Sequence, residues 1–242
     1  MDTTKINRAN VKMVAHRGLS GIERENTCPA FIAAANRSYY GIETDVHVTA
    51  DGEFVIIHDD STNRVSGERI NLNVEKVSYS ELSEIVLPDK DGSLHRTDIR
   101  IPKLSEYVSI CKKYGKVCVL ELKNRFDPED IERLITAIDE LGYSDGVIYI
   151  SFSFENCLEL RKLLPEASIQ WLTGEEITPE VIDRLVSCKL DLDVYYKELT
   201  PDIVRSLHDA GIKINCWTCD SKTDAERLVE MGVDFITSNI LE

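Results

Sequence analysis

A short stretch in the first quarter of the chain carries two carboxylates and a histidine at spacings that suit chemistry. Glu43 and Asp45 lie two residues apart in a strand-like run, so their side chains point to the same face. A turn signal follows at Asp51-Gly52, and a turn centred one residue earlier would place Glu43 opposite His58. Two carboxylates suit a hard divalent cation, and a nearby histidine suits proton transfer. For this hairpin alone, the alternative is an ordinary pair of strands with a polar outer face.

Polar residues of the same kind end two further predicted strands. His16 and Arg17 follow the first apolar run of the chain, and Glu121 and Lys123 lie at the end of a later one. Glu121 and Lys123 are two residues apart, so both can face one pocket. Because parallel strands collect functional residues at their carboxyl ends, we expect all four residues to lie near the two carboxylates of the hairpin.

Three carboxylates in one pocket predict a metal site. Glu43, Asp45 and Glu121 suit Mg²⁺ or Ca²⁺, whereas Zn²⁺ prefers histidine and cysteine. Like charges held together are costly without a cation, which favours a bound metal. The alternative is a neutralised network of salt bridges with Arg17 and Lys123.

Two histidines flank this cluster and predict acid–base chemistry. His16 and His58 each end a strand, and a pair of histidines beside one metal indicates a general acid and a general base acting on a phosphodiester. Arg17 would hold the phosphoryl oxygens. We assign no role to the other three histidines, and expect His47 to point away from the face of Asp45.

The elements that position these residues alternate between strand and helix, which predicts a parallel sheet. Eight strands are predicted, at 11–15, 41–46, 117–122, 147–152, 169–172, 192–196, 213–218 and 234–237. Eight is the number that closes a (β/α)₈ TIM barrel, although the chain ends too early for an eighth helix. An open doubly wound sheet is the alternative, but the sequence lacks a glycine-rich phosphate loop. We expect residues 1–242 to form one barrel domain with an insertion after the second strand, at about 47–101.

Composition narrows the partners and the compartment. The chain has 242 residues and a net charge of −15, so it has no general attraction for nucleic acid or anionic membranes. Seven irregularly spaced cysteines do not form a disulfide framework and favour a reducing compartment. The N-terminus lacks the apolar core of an export signal, and no run of about 18 apolar residues occurs. We expect a cytoplasmic protein that acts on a small molecule and has no stable membrane insertion.

The ordered set of motifs resembles the glycerophosphodiester phosphodiesterase family. The motifs are His16-Arg17-Gly18, Glu25-Asn26-Thr27, Glu43-x-Asp45, Asp51-Gly52, His58-Asp59, Ile101-Pro102-x-Leu104, Glu121-x-Lys123, Ser151-Phe152, Trp217-Thr218 and Gly232-x-Asp234-x-x-Thr237. Each motif alone is weak, but the ordered set is specific and covers residues 11–238. The sequence departs from the family pattern at Arg24, where proline is common, and in its short carboxyl terminus.

The resemblance implies metal-dependent hydrolysis of glycerophosphodiesters to sn-glycerol 3-phosphate and an alcohol, with His16 and His58 as the acid–base pair. The other implied roles are metal ligands at Glu43, Asp45 and Glu121, phosphate contacts at Arg17 and Lys123, pocket walls at Trp217 and Phe152, and supports of the first histidine's loop at Glu25 and Asn26. For the two aromatic residues, the alternative is plain core packing. The metal, Mg²⁺ or Ca²⁺, the head group and the nucleophile stay open, and the nucleophile is either water or a hydroxyl of the substrate.

Two other functions compete with this one. A phosphatidylinositol-type phospholipase C or a sphingomyelinase-D-like enzyme also uses a barrel with two histidines, but an export signal or an exposed apolar rim is expected there. A binding or regulatory domain without turnover is disfavoured because every proposed catalytic position is intact.

Overall fold

The centre of the structure is a barrel of eight parallel strands, seen in a computed structural model in which residues 2–242 are described. The strands are β1 (Lys12–Ala15), β2 (Gly41–Val48), β3 (Phe54–Ile56), β4 (Val117–Leu122), β5 (Val147–Ser151), β6 (Ser168–Thr173), β7 (Asp191–Tyr195), β8 (Ile214–Trp217) and β9 (Phe235–Ser238). Their order is β8-β7-β6-β5-β4-β2-β1-β9, and β3 pairs only with β2. Backbone hydrogen bonds join β8 to β9, including one of 3.0 Å from Asp234 N to Ile214 O. This arrangement confirms the predicted (β/α)₈ TIM barrel.

Helices cover the outside of the barrel. They are α1 (Cys28–Ala35), α2 (Tyr79–Ser83), α3 (Leu104–Tyr114), α4 (Pro128–Glu140), α5 (Phe154–Leu163), α6 (Pro179–Cys188), α7 (Pro201–Asp209) and α8 (Lys222–Met231). Several begin at a serine or threonine whose hydroxyl accepts a hydrogen bond from the first turn, as Thr178 and Thr200 do before α6 and α7. Such caps pair backbone N–H groups that the first helical turn leaves without a partner.

Apolar residues fill the lower part of the barrel interior. A cluster of buried side chains lies inside the barrel: Val14, Val119, Ile148 and Phe235 fill its lower part, and Ile150 and Leu172 extend the cluster toward the carboxyl ends of the strands. A much larger cluster lies between the strands and the helices. The barrel is therefore a packed core at its lower end, and the chemistry is confined to the carboxyl ends of the strands.

The N-terminal residues pair with the residues that follow β9. Thr4 N donates to Ile240 O at 3.0 Å, Glu242 N donates to Thr4 O at 2.9 Å, and Leu241 is fully buried. These contacts hold the residues after β9 against the N-terminal segment.

The segment between β3 and α3 folds outside the barrel around a second apolar cluster. Its buried members are Val55, Ile57, Val65, Val74, Leu82, Ile85, Leu87, Ile99 and Ile101. Two of them belong to β3 and to the residue after it, so the segment is anchored directly beside the hairpin. Within residues 2–242, none of the helices has the length and apolar character needed to cross a membrane.

The register of the hairpin differs from the predicted one. Val46 pairs with Ile56 and Val48 pairs with Phe54, so continuing the ladder would place Thr44, not Glu43, opposite His58. The loop between the strands, residues 49–53, has five residues, with Gly52 at φ +80°, and an odd loop shifts the pairing by one residue relative to the predicted turn. The predicted pairing of Glu43 with His58 was therefore wrong.

Candidate active site

The three predicted carboxylates lie together at the carboxyl ends of β2 and β4. Asp45 pairs with Glu121 in the parallel ladder, and Glu43 lies two residues earlier on the same face of β2. One oxygen of each carboxylate lies within 4.8 Å of the others, and all three side chains are buried. The strand register, not a loop, therefore fixes the geometry of this cluster.

Two cations lie beside the cluster but do not satisfy it. Lys123 Nζ is 2.8 Å from Glu121 Oε1 and 3.4 Å from Asp45 Oδ1, and Arg17 Nε is 3.6 Å from Asp45 Oδ2. Among the described residues, Asp45 Oδ1 nevertheless accepts no hydrogen bond, and the single Lys123 ammonium is the only cation near Glu121 Oε1. Buried carboxylate oxygens left without donors are costly, and hard oxygen donors suit Mg²⁺ or Ca²⁺. The residues present fit such a cation better than they fit a closed network of salt bridges.

The protonation of the three carboxyls is uneven. Burial and the charge of Asp45 raise the pKa of Glu121 to about 8, and the same causes raise the pKa of Glu43 well above its ordinary value. Burial acts in the same direction on Asp45, but Lys123 and Arg17 outweigh it and hold its pKa well below the ordinary range. Without a bound cation, the cluster thus keeps one carboxylate ionised and protonates its neighbours.

The loop after β1 orients two of the carboxylates. The backbone N–H of Arg17 donates to Glu43 Oε2 at 2.8 Å, and Asn26 Nδ2 donates to Asp45 Oδ2 at 2.7 Å. Thr44 Oγ1 donates to Asn26 Oδ1, which fixes the orientation of the amide. The backbone φ angle is +53° at Arg17 and +54° at Asn26, so the loop is held in a sparsely populated conformation. Asn26 therefore contacts the acidic cluster directly, in addition to bracing the loop.

His16 is held in one orientation by residues that follow β8 and β9. Its Nδ1 lies 2.7 Å from Asn239 Oδ1, and Asn239 Nδ2 donates to Asp220 Oδ2 at 2.6 Å. Because Asp220 only accepts, the amide oxygen of Asn239 must face the ring, and Nδ1 of His16 must carry the hydrogen. Nε2 is then unprotonated and lies 4.0 Å from Glu43 Oε2. Burial and the charge of Arg17 lower the pKa of His16 to about 4, so the ring is neutral at physiological pH.

His58 has a different partner. Its Nδ1 lies 2.7 Å from Asp59 Oδ1, so a carboxylate rather than an amide faces the ring. Arg64 Nε donates to Asp59 Oδ2 at 2.7 Å, and Arg64 Nη1 donates to Glu25 Oε2 at 2.9 Å. Arg17 Nη1 in turn donates to Glu25 Oε1 at 2.9 Å. One chain of charges therefore connects the loops that carry the two histidines.

These contacts also explain the ionisation of their acidic members. Burial opposes the charged form of Glu25, but hydrogen bonds from Arg64 and the charge of Arg17 lower its pKa to about 2. The Asp59 carboxyl behaves in the same way, with Arg64 lowering its pKa to about 2. Burial and the charges of Lys123 and Arg17 lower the pKa of His58 below its ordinary value, and the charge of Asp45 and the hydrogen bond to Asp59 offset only part of this. His58 therefore differs from His16 in its partner, because a carboxylate rather than an amide oxygen faces its Nδ1.

His47 corrects another expectation. Residues 45 and 47 are two apart on β2 and so share a face, and the prediction that His47 points away from Asp45 was wrong. Its ring is fully buried, with Nδ1 3.0 Å from Glu75 Oε1 and Nε2 3.4 Å from the backbone oxygen of His58. His47 thus contacts the segment that carries His58.

A small cavity connects these groups. It has a volume of about 110 Å³ and is lined by His16, Arg17, Glu43, His58, Glu121, Ile150, Phe152, Leu172, Asp193, Trp217, Thr218 and Thr237. Phe152 is 47% exposed at its mouth, and its ring centroid is 5.5 Å from that of Trp217. A wider groove of about 690 Å³ begins at the same His16 and Arg17 and extends outward. A hollow of about 710 Å³ opens at the other end of the barrel, where active sites of this fold do not lie.

Sequence reasoning assigned no role to four residues of this arrangement. Asp220, Asn239 and Arg64 hold the histidine loops, and Asp193 lines the cavity. Among the partners of the histidines, only Asp59 could be identified from the sequence, because it directly follows His58. Arg64 lies in the insertion, and Asn239 is 223 residues from His16, so sequence spacing does not connect either of them to its site. Their contacts depend on closure of the barrel, which brings distant strand ends together.

A parallel barrel with two histidines and an acidic cluster at the carboxyl ends of its strands defines a class, that of phosphoric diester hydrolases. The glycerophosphoryl diester phosphodiesterase family model matches residues 16–241, and the chain belongs to that family.

Individual relatives agree with this assignment. The chain is 30% identical to a glycerophosphodiester phosphodiesterase of Caldanaerobacter subterraneus, with 94% of this chain and 93% of that protein covered. The crystal structure of a glycerophosphodiester phosphodiesterase from Parabacteroides distasonis is 29% identical, with a TM-score of 0.78, and covers 95% of this chain and 93% of its own. A phosphodiesterase of Oleispira antarctica, solved with the product sn-glycerol-3-phosphate, shares the fold at 23% identity and a TM-score of 0.81, over 98% of this chain and 96% of that one.

The contact between Asn239 and His16 leads to a first prediction. In Asn239→Leu, the ring loses the acceptor that fixes its tautomer, so kcat for phosphodiester hydrolysis should fall about 10–100-fold, the usual cost of losing such a supporting contact. Asn36→Leu, at an exposed position after α1, is the matched control and should keep full kcat. Steady-state kinetics and thermal unfolding on both variants check this, and full kcat in folded Asn239→Leu would contradict it.

Proposed function

We propose that this chain hydrolyses glycerophosphodiesters to sn-glycerol 3-phosphate and an alcohol, with a divalent metal ion and two histidines. The observation that carries the proposal is the cavity of about 110 Å³, which is lined by both differently partnered histidines and by Glu43 and Glu121 of the three-carboxylate cluster. A cavity of this size suits a glycerophosphate group, and the wider groove leaves room for the head group. The product complex of the Oleispira relative supports this class of substrate.

The two histidines have separate roles in this proposal. His16 is the general base, because its neutral ring presents an unprotonated Nε2 to the cavity. His58 is the general acid, because the Asp59 carboxylate faces its Nδ1 and stabilises the imidazolium that donates the proton, although burial lowers the pKa of the ring. His16 takes the proton from the attacking hydroxyl, which belongs to water or to the substrate, as a new P–O bond forms. His58 gives a proton to the alcohol oxygen as its bond to phosphorus breaks.

The cationic groups would act on the phosphoryl oxygens. Glu43, Asp45 and Glu121 are the residues that would hold Mg²⁺ or Ca²⁺, which supplies positive charge to offset the charge that develops on the phosphoryl group. Arg17 and Lys123 are half-buried beside the carboxylates and would bind the remaining oxygens.

The remaining features of the proposal concern the whole chain. Residues 1–242 act as one barrel domain with its insertion, since Arg64 of the insertion binds Asp59 and Glu25 beside the cavity. All seven cysteines are free thiols, which fits a reducing compartment and supports function in the cytoplasm. The substrate partner is a small molecule.

The deciding experiment measures release of glycerol 3-phosphate from glycerophosphocholine and glycerophosphoethanolamine. Reactions contain Mg²⁺, Ca²⁺ or a chelator, and His16→Ala is assayed beside the natural chain. Metal-dependent release that the variant loses is the expected result. No release from any glycerophosphodiester by the metal-loaded protein would overturn the proposal and favour a phospholipase or a binding protein.

A further inference from the structure

Four polar side chains interrupt the apolar interior of the barrel on neighbouring strands. They are Gln170 on β6, Asp193 on β7, Asn215 on β8 and Thr237 on β9, and each is at most 2% exposed. Toward the amino ends of the strands, Val14, Val119, Ile148 and Phe235 form an apolar layer. Interiors of such barrels are usually filled by branched apolar residues, so four buried polar groups at one level require an explanation.

Asn215 organises this polar group. Its Nδ2 donates to Gln170 Oε1 and to Asp193 Oδ2, both at 3.1 Å, and its Oδ1 accepts from Thr237 Oγ1 at 3.1 Å. The amide of Asn215 is thereby fixed in orientation, and it fixes one oxygen of Asp193 in turn. This arrangement holds the Asp193 carboxyl in a defined position.

Two polar atoms of the group have no partner in residues 2–242: Asp193 Oδ1 and Gln170 Nε2. Leaving a buried polar atom unpaired costs about 1–3 kcal/mol, so natural proteins rarely tolerate it without a bound molecule. Asp193 and Thr237 line the small cavity that also contains His16 and Glu121. The missing partner can therefore arrive through the active site.

The chemistry of that partner is limited by the surroundings. Asp193 lies on β7 and is not part of the carboxylate cluster of β2 and β4. Burial and the charge of Glu121 raise its pKa well above the ordinary value, and a carboxyl group here does not attract phosphate. A hydroxyl group both donates and accepts, and can pair with Asp193 in either protonation state.

We propose that Asp193 binds a free hydroxyl of the substrate's glycerol group through Oδ1, with Asn215 holding it in position. The inference rests on the proposed function and adds a specificity-determining residue to it. In this proposal the polar group around Asp193 recognises the glycerol hydroxyls, whereas the cation held by the carboxylate cluster, with Arg17 and Lys123, binds the phosphate. Phosphate esters without these hydroxyls, or with acyl chains on them, leave Asp193 unpaired and bind poorly.

The test compares two ligands that differ only in the hydroxyls. Dissociation constants of sn-glycerol 3-phosphate and n-propyl phosphate are measured with saturating Mg²⁺ on the natural chain, on Asp193→Ala and on Asp191→Ala. Asp191 lies at the amino end of the same strand, where Oδ1 accepts from Lys213 N, and serves as the matched control. The natural chain and the control should prefer sn-glycerol 3-phosphate by about 10–100-fold, and Asp193→Ala should lose most of that preference.

Each result is decisive. A preference that persists in folded Asp193→Ala overturns the inference and assigns the unpaired oxygen to a buried water. If that variant does not fold, the natural chain decides alone, since equal affinity for the two ligands overturns the inference. Hydrolysis of glycerophosphocholine by the natural chain separates failure of this inference from failure of the proposed function. If the natural chain is active but either overturning result is observed, only the role of Asp193 is lost.

Discussion

Replacing His58 with alanine is expected to lower kcat for glycerophosphocholine by about 10²–10⁴-fold, the range for removing a general acid or base. The choline alkoxide is a poor leaving group, and in our proposal only His58 supplies its proton. Its ring is one-third exposed, so the substitution removes little packing and the fold should persist. His16→Ala should cost a similar factor, because the attacking hydroxyl would lose its base.

The two histidines can be told apart with a better leaving group. The p-nitrophenyl diester of glycerol 3-phosphate releases an anion that needs no proton, so His58→Ala should recover most of its activity on it, and His16→Ala should not. The measurement is kcat/KM of each variant on both substrates. His208→Ala, on the exposed face of α7, is the matched control and should behave as the natural chain. The opposite pattern would exchange the two roles, and equal losses on both substrates would contradict the assignment.

The acidic cluster was predictable because two local rules determine it. Residues two apart on a strand share a face, which puts Glu43 beside Asp45. The first residues of β2 and β4, Gly41 and Val117, pair with each other, and this register brings Asp45 beside Glu121. Eight alternating units then predict the closed barrel and assign these residues to its functional end. Each inference needs only spacing along the chain and no knowledge of distant contacts.

The positioning residues could not be predicted in this way. Asn239 reaches His16 only because β9 pairs with β1 when the barrel is completed. The hairpin register depended on whether the loop held an even or odd number of residues, which Asp51-Gly52 alone does not determine. In the sequence, Asp193 is a single polar residue in an apolar strand. Its significance is visible only in the fold, where Asn215 contacts both Asp193 and Gln170.

Removing the divalent metal is expected to abolish turnover and to destabilise the fold. The buried oxygens of Asp45 and Glu121 lose the cation that would satisfy them. A ligand present at one hundred times its dissociation constant stabilises a protein by about 2.7 kcal/mol, so Mg²⁺ or Ca²⁺ should raise the melting temperature measurably. Glu121→Gln should lose most of this effect, whereas Glu140→Gln, exposed at the end of α4, should retain it. Full turnover in the presence of chelator would contradict the prediction.

Metal binding should also release protons, and its pH dependence has a definite sign. The pKa of Glu121 is about 8 without metal, because burial and Asp45 disfavour its charge, so the group is mostly protonated at lower pH. A cation requires the carboxylate, so binding at about pH 7 expels a proton and affinity rises with pH until the group is ionised. Calorimetric titrations in buffers of different ionisation enthalpy measure the released protons. Glu121→Gln lacks this proton and keeps only that of Glu43, whose pKa is also raised, so it should release fewer protons than the natural chain, and an equal release would show that the protons come from elsewhere.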